Sequence, residues 1–122
     1  MKQFLMIAMA AVMLTVGAST GYSQQTPKSV IHVVTVKWKA GTTPAQIKAA
    51  LDGVHALQDK YPGITNVWTR SIKVQGGKSH AFVMEFKDEK ALAAYADSEA
   101  QKAWYKLYLP IREESTTFDI TN

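Results

Sequence analysis

The side chains best suited to proton chemistry in this sequence are its three histidines, His32, His55 and His80, because an imidazole changes charge near neutral pH. His32 and His80 sit in strand-like segments whose alternation turns both toward the same side, and two imidazoles facing one cavity are the start of a metal site. A zinc site asks for at least a third protein ligand, and none stands at helical or strand spacing beside either histidine, so no metal is expected. His55 falls on a helical segment next to Val54, near its rim, and is given no role. Tyr95, Trp104, Phe82 and Met84, with Val34 on the strand face of His32, can line an apolar cavity with a few polar groups, the ordinary form of a small-molecule site. The alternative is that these side chains simply fill the core of a small domain.

Other chemistries lack their residues. There is no cysteine, hence no thiolate nucleophile and no disulfide. No glycine-rich phosphate loop, Ser-His-Asp spacing or zinc-peptidase motif occurs, and no cofactor is expected.

The elements that must carry these residues follow from periodicity. Val30 to Lys39 alternates, with His32, Val34, Val36 and Trp38 on one face and Ile31, Val33, Thr35 and Lys37 on the other, both largely apolar, as in a strand covered on both sides. Thr43, Pro44 and Gln46 are spaced as an N-cap, a first helical residue and the far member of a capping box. A helix of about four turns follows, with Ile47, Ala50, Leu51, Val54 and Leu57 on one stripe. Pro62 and Gly63 stop it. Ile64 to Val74 reads as a second strand, Gln75 to Lys78 as a tight turn through Gly76 and Gly77, and Ser79 to Phe86 as a third strand with His80, Phe82, Met84 and Phe86 on one face. The facing of Trp68 and Arg70 stays open. Asp88 caps a short helix through Tyr95. Ser98 and Gln101 make a second capping box for a helix that ends before Pro110, and Thr116 to Thr121 is the last strand.

The resulting order, β-α-β-β-α-β with the second helix broken in two, is an α+β, ferredoxin-like sandwich. Helices on one side leave the other sheet face bare, and there Val33, Thr35, Ala81 and Val83 offer apolar surface. A symmetric dimer packed sheet against sheet would bury it.

Composition bounds the partners. Met1 and Lys2, the apolar run Phe4 to Val16 and the small and polar stretch Gly17 to Gln25 have the order of a secretory signal peptide. The run is 13 residues, against about 20 for a membrane span. Cleavage is expected near Ser23, with Gly21 and Ser23 flanking the site; a site after Ala18 is the second candidate. Residues 1–23 are then a leader, 24–29 a flexible lead with Pro27, and 30–122 one domain. The product is expected to be periplasmic or secreted and free of the membrane. Loss of Lys2 takes 14 basic residues to 13 against 10 acidic ones, about +3 by formal count. Lysines from Lys28 to Lys106 are interleaved with acids, and Lys37, Lys39, Lys87 and Lys90 read as solvated surface charges. No nucleic-acid partner is expected.

Four stretches together, H-V-V-T-V-K-W-K at His32 to Lys39, the pair Pro62-Gly63, E-F-K-D-E-K-A-L-A-A-Y at Glu85 to Tyr95, and F-D-I at Phe118 to Ile120, resemble the stress-responsive dimeric A/B barrel (Dabb) family over about 90 residues. The resemblance implies a homodimer forming a dimeric α/β barrel. Members include stress-induced proteins and plant polyketide cyclases that work without a cofactor. The cyclase pattern gathers a histidine on the first strand, a tyrosine ending the short helix, a histidine after it and an aspartate on the last strand, and His32, Tyr95 and Asp119 match three of these. Where the family often has H-P-A-H, this chain has Ser98, Glu99, Ala100 and Gln101, so Gln101 stands in the place of the general-base histidine. An amide hydrogen-bonds but does not exchange a proton near neutral pH, so cyclase-type abstraction at that position is not available.

Three functions are compatible with these residues. The first is an exported homodimer, in a stress response, that binds a small hydrophobic or aromatic molecule near His32, Val34, His80, Phe82, Tyr95, Gln101, Trp104 and Asp119. The second is a cofactor-independent cyclase, isomerase or monooxygenase using Tyr95 and His32, with Asp119 beside them. The third is a pure interaction module whose cavity is filled by its own side chains.

Overall fold

The computed structural model describes residues 28–122. The expected leader, 1–23, and residues 24–27 of the expected lead lie outside the described residues. The elements are β1 (Val30–Trp38), α1 (Pro44–Lys60), β2 (Ile64–Trp68), β3 (His80–Phe86), α2 (Glu89–Tyr95), α3 (Glu99–Tyr108) and β4 (Arg112–Thr121). The strands form one antiparallel sheet in the order β2-β3-β1-β4. Because β3 lies between them, β1 and β2 run parallel without touching, which is the split βαβ unit of the ferredoxin-like fold.

Local chemistry places the helix starts. The Thr43 hydroxyl accepts from the Gln46 backbone N–H (3.2 Å) while Gln46 Oε1 accepts from the Thr43 N–H (2.9 Å), a complete capping box with Pro44 at the first helical position. Asp88 caps α2 through the Ala91 N–H at 2.7 Å. Ser98 accepts from the Gln101 N–H (3.2 Å), but the expected box there is only half made. The Ser98 N–H is already bonded to the Tyr95 carbonyl, so Gln101 Oε1 instead takes the N–H of Asp97, whose φ of 62° makes the break between α2 and α3.

Two strand boundaries differ from the sequence reading by more than one residue. β2 ends at Trp68 rather than Val74, because the Ser71 hydroxyl donates to the Ala81 carbonyl (2.8 Å) and accepts from the Ala81 N–H (2.7 Å). One side chain thus replaces the next backbone rung, and the chain leaves the ladder before turning at Gly76 and Gly77, both at positive φ. β4 starts at Arg112, four residues earlier than expected, because β1 pairs with it out to Trp38 through a bulge at Lys37/Trp38.

The core lies between the helices and one sheet face: Val30, Val34, Val36, Phe82, Met84 and Phe86 from the strands meet Ala50, Val54, Leu57, Ala91, Tyr95, Trp104 and Tyr108. Each large buried side chain contributes about 1.5–3 kcal/mol. On the opposite face Trp68, Val83, Val33 and Phe118 stand in one row across all four strands, since they are direct register partners. Trp68, Phe118 and the neighbouring Ile120 are 52, 54 and 57% exposed, so this face carries a bare apolar strip, with Trp68 on it.

Helix α3 rests on α1 at a residue without a side chain. A Cβ on Gly53 would lie 2.6 Å from Trp104 Cδ1, and the Trp104 indole N–H donates to the Ala50 carbonyl at 2.8 Å. Alanine here regains about 1 kcal/mol of helix propensity, while overpacking costs about 1–3 kcal/mol. Gly53→Ala is therefore expected to lower the unfolding free energy by up to about 2 kcal/mol net, seen as a lower urea midpoint. A midpoint equal to or above wild type would mean that the indole moves aside freely.

Candidate functional site

Beneath the helices the sheet is not fully covered. A hollow of about 160 Å³ is walled by Val34, Phe82 and Met84 from the sheet, by Leu92, Tyr95, Trp104, Tyr105 and Tyr108 from α2 and α3, and by Ser115 and Thr117 from β4. Ala96, His32, Gln101 and Arg112 complete its lining. An apolar cavity of about 150 Å³ is large enough to take benzene.

Its aromatic wall is ordered by edge and face contacts. Trp104 stacks on Tyr108 with centroids 4.4 Å apart and planes 10° from parallel, and Phe82 meets both edge-on at 5.6 and 5.8 Å. Tyr95 packs against Phe86 and Tyr61 at 5.2 and 5.5 Å, and His32 meets Phe86 edge-on at 5.8 Å. His32 and Tyr95 are thus brought to the same end of the hollow.

The polar groups are unevenly satisfied. His32 Nδ1 lies 2.5 Å from Asp119 Oδ1, its direct register partner on β4. With the proton of that bond on Nδ1, the carboxylate orients the ring and leaves Nε2 as an acceptor. Tyr95 and Tyr108 are each 3% exposed, and neither hydroxyl has a hydrogen-bond partner, although Ser115 and Arg112 lie alongside Tyr108. A buried hydroxyl without a partner is uncommon in a folded protein and asks for an explanation. Burial pushes the Tyr95 phenol well above the ordinary tyrosine range, helped by the neighbouring Tyr105 and Tyr61, and raises that of Tyr108, where Ser115 and Arg112 oppose it. Gln101 is engaged at both ends, Oε1 on the Asp97 N–H (2.8 Å) and Nε2 donating to the Tyr105 hydroxyl (3.1 Å).

Of the residues expected at a ligand site, His32, Val34, Phe82, Tyr95, Gln101 and Trp104 line this hollow. Asp119 reaches it through His32 and itself borders a shallower depression with Val30 and Leu92. His80 does not join them. It is four residues from His32 in the register of β1, about 13 Å along the strand, and lies in a surface cleft with Ile47, Thr69 and Arg70. Its Nδ1 accepts from the Trp38 indole at 2.8 Å. The two imidazoles therefore do not converge, and no group of three or more His, Asp or Glu able to hold a metal occurs among the described residues.

The sequence reading missed Leu92, Ala96, Tyr105, Tyr108, Arg112, Ser115 and Thr117 as lining residues. The signal for Tyr105 and Tyr108 was present, since both share a helix with Trp104 at one- and four-residue steps.

A family model described as the stress responsive A/B barrel domain matches residues 30–122. The chain belongs to the Dabb family. Among solved structures, a hydroxynitrile lyase from Passiflora edulis superposes with a TM-score of 0.70 at 18% identity, over 79% of this chain and 94% of that one. A Dabb family protein with a ferredoxin-like fold from Mesorhizobium loti gives 0.64 at 22% identity, over 76% and 95%. A dimeric ferredoxin-like protein of unknown function from Thermobifida fusca gives 0.66 at 18%, over 78% and 92%. These likenesses establish the fold. No curated protein matches the sequence.

Two predictions follow from the buried phenols. Removing a buried hydroxyl that has no partner relieves a desolvation cost, so Tyr95→Phe in the ligand-free protein is expected to leave stability unchanged or raise it by about 1 kcal/mol, measured by urea unfolding. A loss above about 1 kcal/mol would reveal a bond to that hydroxyl. Folding also raises the affinity of Tyr61, Tyr95 and Tyr108 for their protons. Their contribution is complete below the unfolded value of about 10 and falls as the pH rises past it. The urea midpoint should therefore decline above about pH 10, and less steeply in Tyr95→Phe; an equal slope in both would exclude Tyr95 as a source.

Proposed function

We propose that this Dabb domain is exported, forms a homodimer through its open sheet face, and binds a small hydrophobic or aromatic molecule in the hollow between sheet and helices. One observation carries the binding reading: the buried hydroxyls of Tyr95 and Tyr108, both without partners, border a hollow of about 160 Å³ with apolar walls. A ligand with a polar group would satisfy them and fill the hollow at once, as small-molecule sites do. The Trp68, Val83, Val33 and Phe118 row supports the dimer, as does the dimeric state of the similar Thermobifida protein. Export rests on the order of Lys2, the apolar run and the small residues before Gln24. Among the described residues no helix is long and apolar enough to cross a membrane.

A second reading, a cofactor-independent enzyme, is favoured by the His32–Asp119 pair, which leaves an oriented ring nitrogen at the end of the hollow where Tyr95 lies. In that reading His32 Nε2 takes the proton and the Tyr95 hydroxyl, protonated throughout the neutral range, donates to the developing oxyanion. The bound molecule decides which carbonyl or carbinol compounds to assay. Turnover dependent on both groups would show a pH-dependent rate that collapses in His32→Gln and Tyr95→Phe.

Native mass spectrometry of the protein purified gently from the periplasm tests the first reading. The expected species is a dimer of shortened chains carrying a reproducible extra mass, and Phe118→Asp should shift it to monomer. A bare monomer of wild type would overturn the dimer, and full-length chains confined to the cytoplasm would overturn export.

A further inference from the structure

The polar groups around the hollow are not balanced in charge. Arg112, at the start of β4, is half-buried, with its guanidinium 5.5 Å from the centroid of the Tyr108 ring. The two residues that follow it hold the carboxylates that would ordinarily neutralise it, but Glu113 pairs with Lys37 and Glu114 with Lys78, each at 3.0 Å. Among the described residues Arg112 has no ion pair. The cation–π contact offsets part of the burial but satisfies none of its five N–H donors.

The hydroxyls nearby add donors. The buried Tyr108 hydroxyl lies beside Ser115 and Arg112, and the Tyr105 oxygen accepts from Gln101 Nε2, leaving its own proton uncommitted, whereas Tyr95 lies at the other end with His32. The amide oxygen of Gln101, an acceptor for such donors, is held by the Asp97 N–H. The negative charge of Asp119 is engaged by His32, which opposes Met84 on β3 while Arg112 opposes Trp38 at the far end of β1. At this end the hollow therefore has a cation and hydroxyl donors and, among the described residues, no acidic side chain in its lining.

We propose that the molecule bound in the hollow is a small aromatic monocarboxylate, its ring against Phe82, Met84 and Trp104 and its carboxylate on Arg112 and the Tyr105 and Tyr108 hydroxyls. This rests on the ligand-binding reading above and adds the charge. A guanidinium fork matches the two oxygens of a carboxylate. A dianion such as phosphate would call for a second cation, and the neighbouring lysines, Lys37 and Lys78, are already paired. A volume of about 160 Å³ accommodates one ring with a short substituent rather than a fused system.

Isothermal titration of the mature dimer with benzoate and phenylacetate, each against its neutral amide, separates charge from shape. In wild type the acids are expected to bind about ten- to a hundredfold tighter than the amides, the ratio typical of a charge-assisted bond over a neutral one. Arg112→Gln should erase that ratio while changing amide binding less than about threefold. Amides binding as well as acids to wild type would overturn the carboxylate assignment and leave the ligand-binding reading intact. Binding of none of the four probes to wild type would overturn both. The wild-type comparison needs no variant, so a misfolded Arg112→Gln protein does not spoil the test.

Discussion

The arrangement of this domain turns on how Trp104 is held. Its indole N–H is buried and must find an acceptor, and the acceptor is a helical carbonyl, Ala50, reached only because residue 53 on the same face of α1 has no Cβ. That contact fixes α3 against α1 at close range. It also sets Tyr108, stacked on the indole, and through Tyr108 the position of the ring beside Arg112. Helix α3 is thereby drawn toward α1, over β3 and β1, and β4 at the sheet edge is left with Ser115 and Thr117 facing a hollow rather than a packed helix. The cavity follows from where a single aromatic ring is anchored.

Charge is distributed along that hollow in a way the backbone enforces. His32 and Asp119 are register partners, so strand pairing itself brings them together, and no loop is required to assemble the pair. At the other end the bulge between Lys37 and Trp38 places an extra residue on β4, and the two acids that follow Arg112 turn to lysines instead. One end holds the Asp119 carboxylate and the other end is cationic. This asymmetry would align an elongated polar molecule in one direction.

The same bulge explains why the site was only half legible in the sequence. Caps at Thr43, Asp88 and Ser98, the alternation of β1 and β3 and the element order are local signals, and they were readable because each arises from residues within a few positions of one another. Strict alternation puts Arg112 and Ser115, three apart, on opposite faces, yet both line the hollow, because one residue between them is absorbed by the bulge. β2 was overextended for a related reason: Ile64 to Val74 looks like a strand until Ser71 is found to bond Ala81 across ten residues, a contact no local pattern contains. His80 shares a face with His32, as its parity requires, but parity says nothing about separation along a strand, and the register sets the two at opposite ends.

Gln101 bears on what kind of chemistry the hollow can support. Both ends of its amide are used to shape the site, holding the Asp97 turn that separates the helices and fixing the Tyr105 hydroxyl. A histidine there could not make both contacts while also exchanging a proton with a ligand, because its two nitrogens would be consumed. The position is therefore architectural in this chain. Any proton transfer would fall to His32, which lies on the strand whose alternate residues, Ile31 and Val33, carry the open apolar face. A partner packed on that face would bear directly on the backbone that orients the imidazole, so in the proposed dimer the state of the interface and the geometry of the hollow are coupled through β1, with no separate relay required.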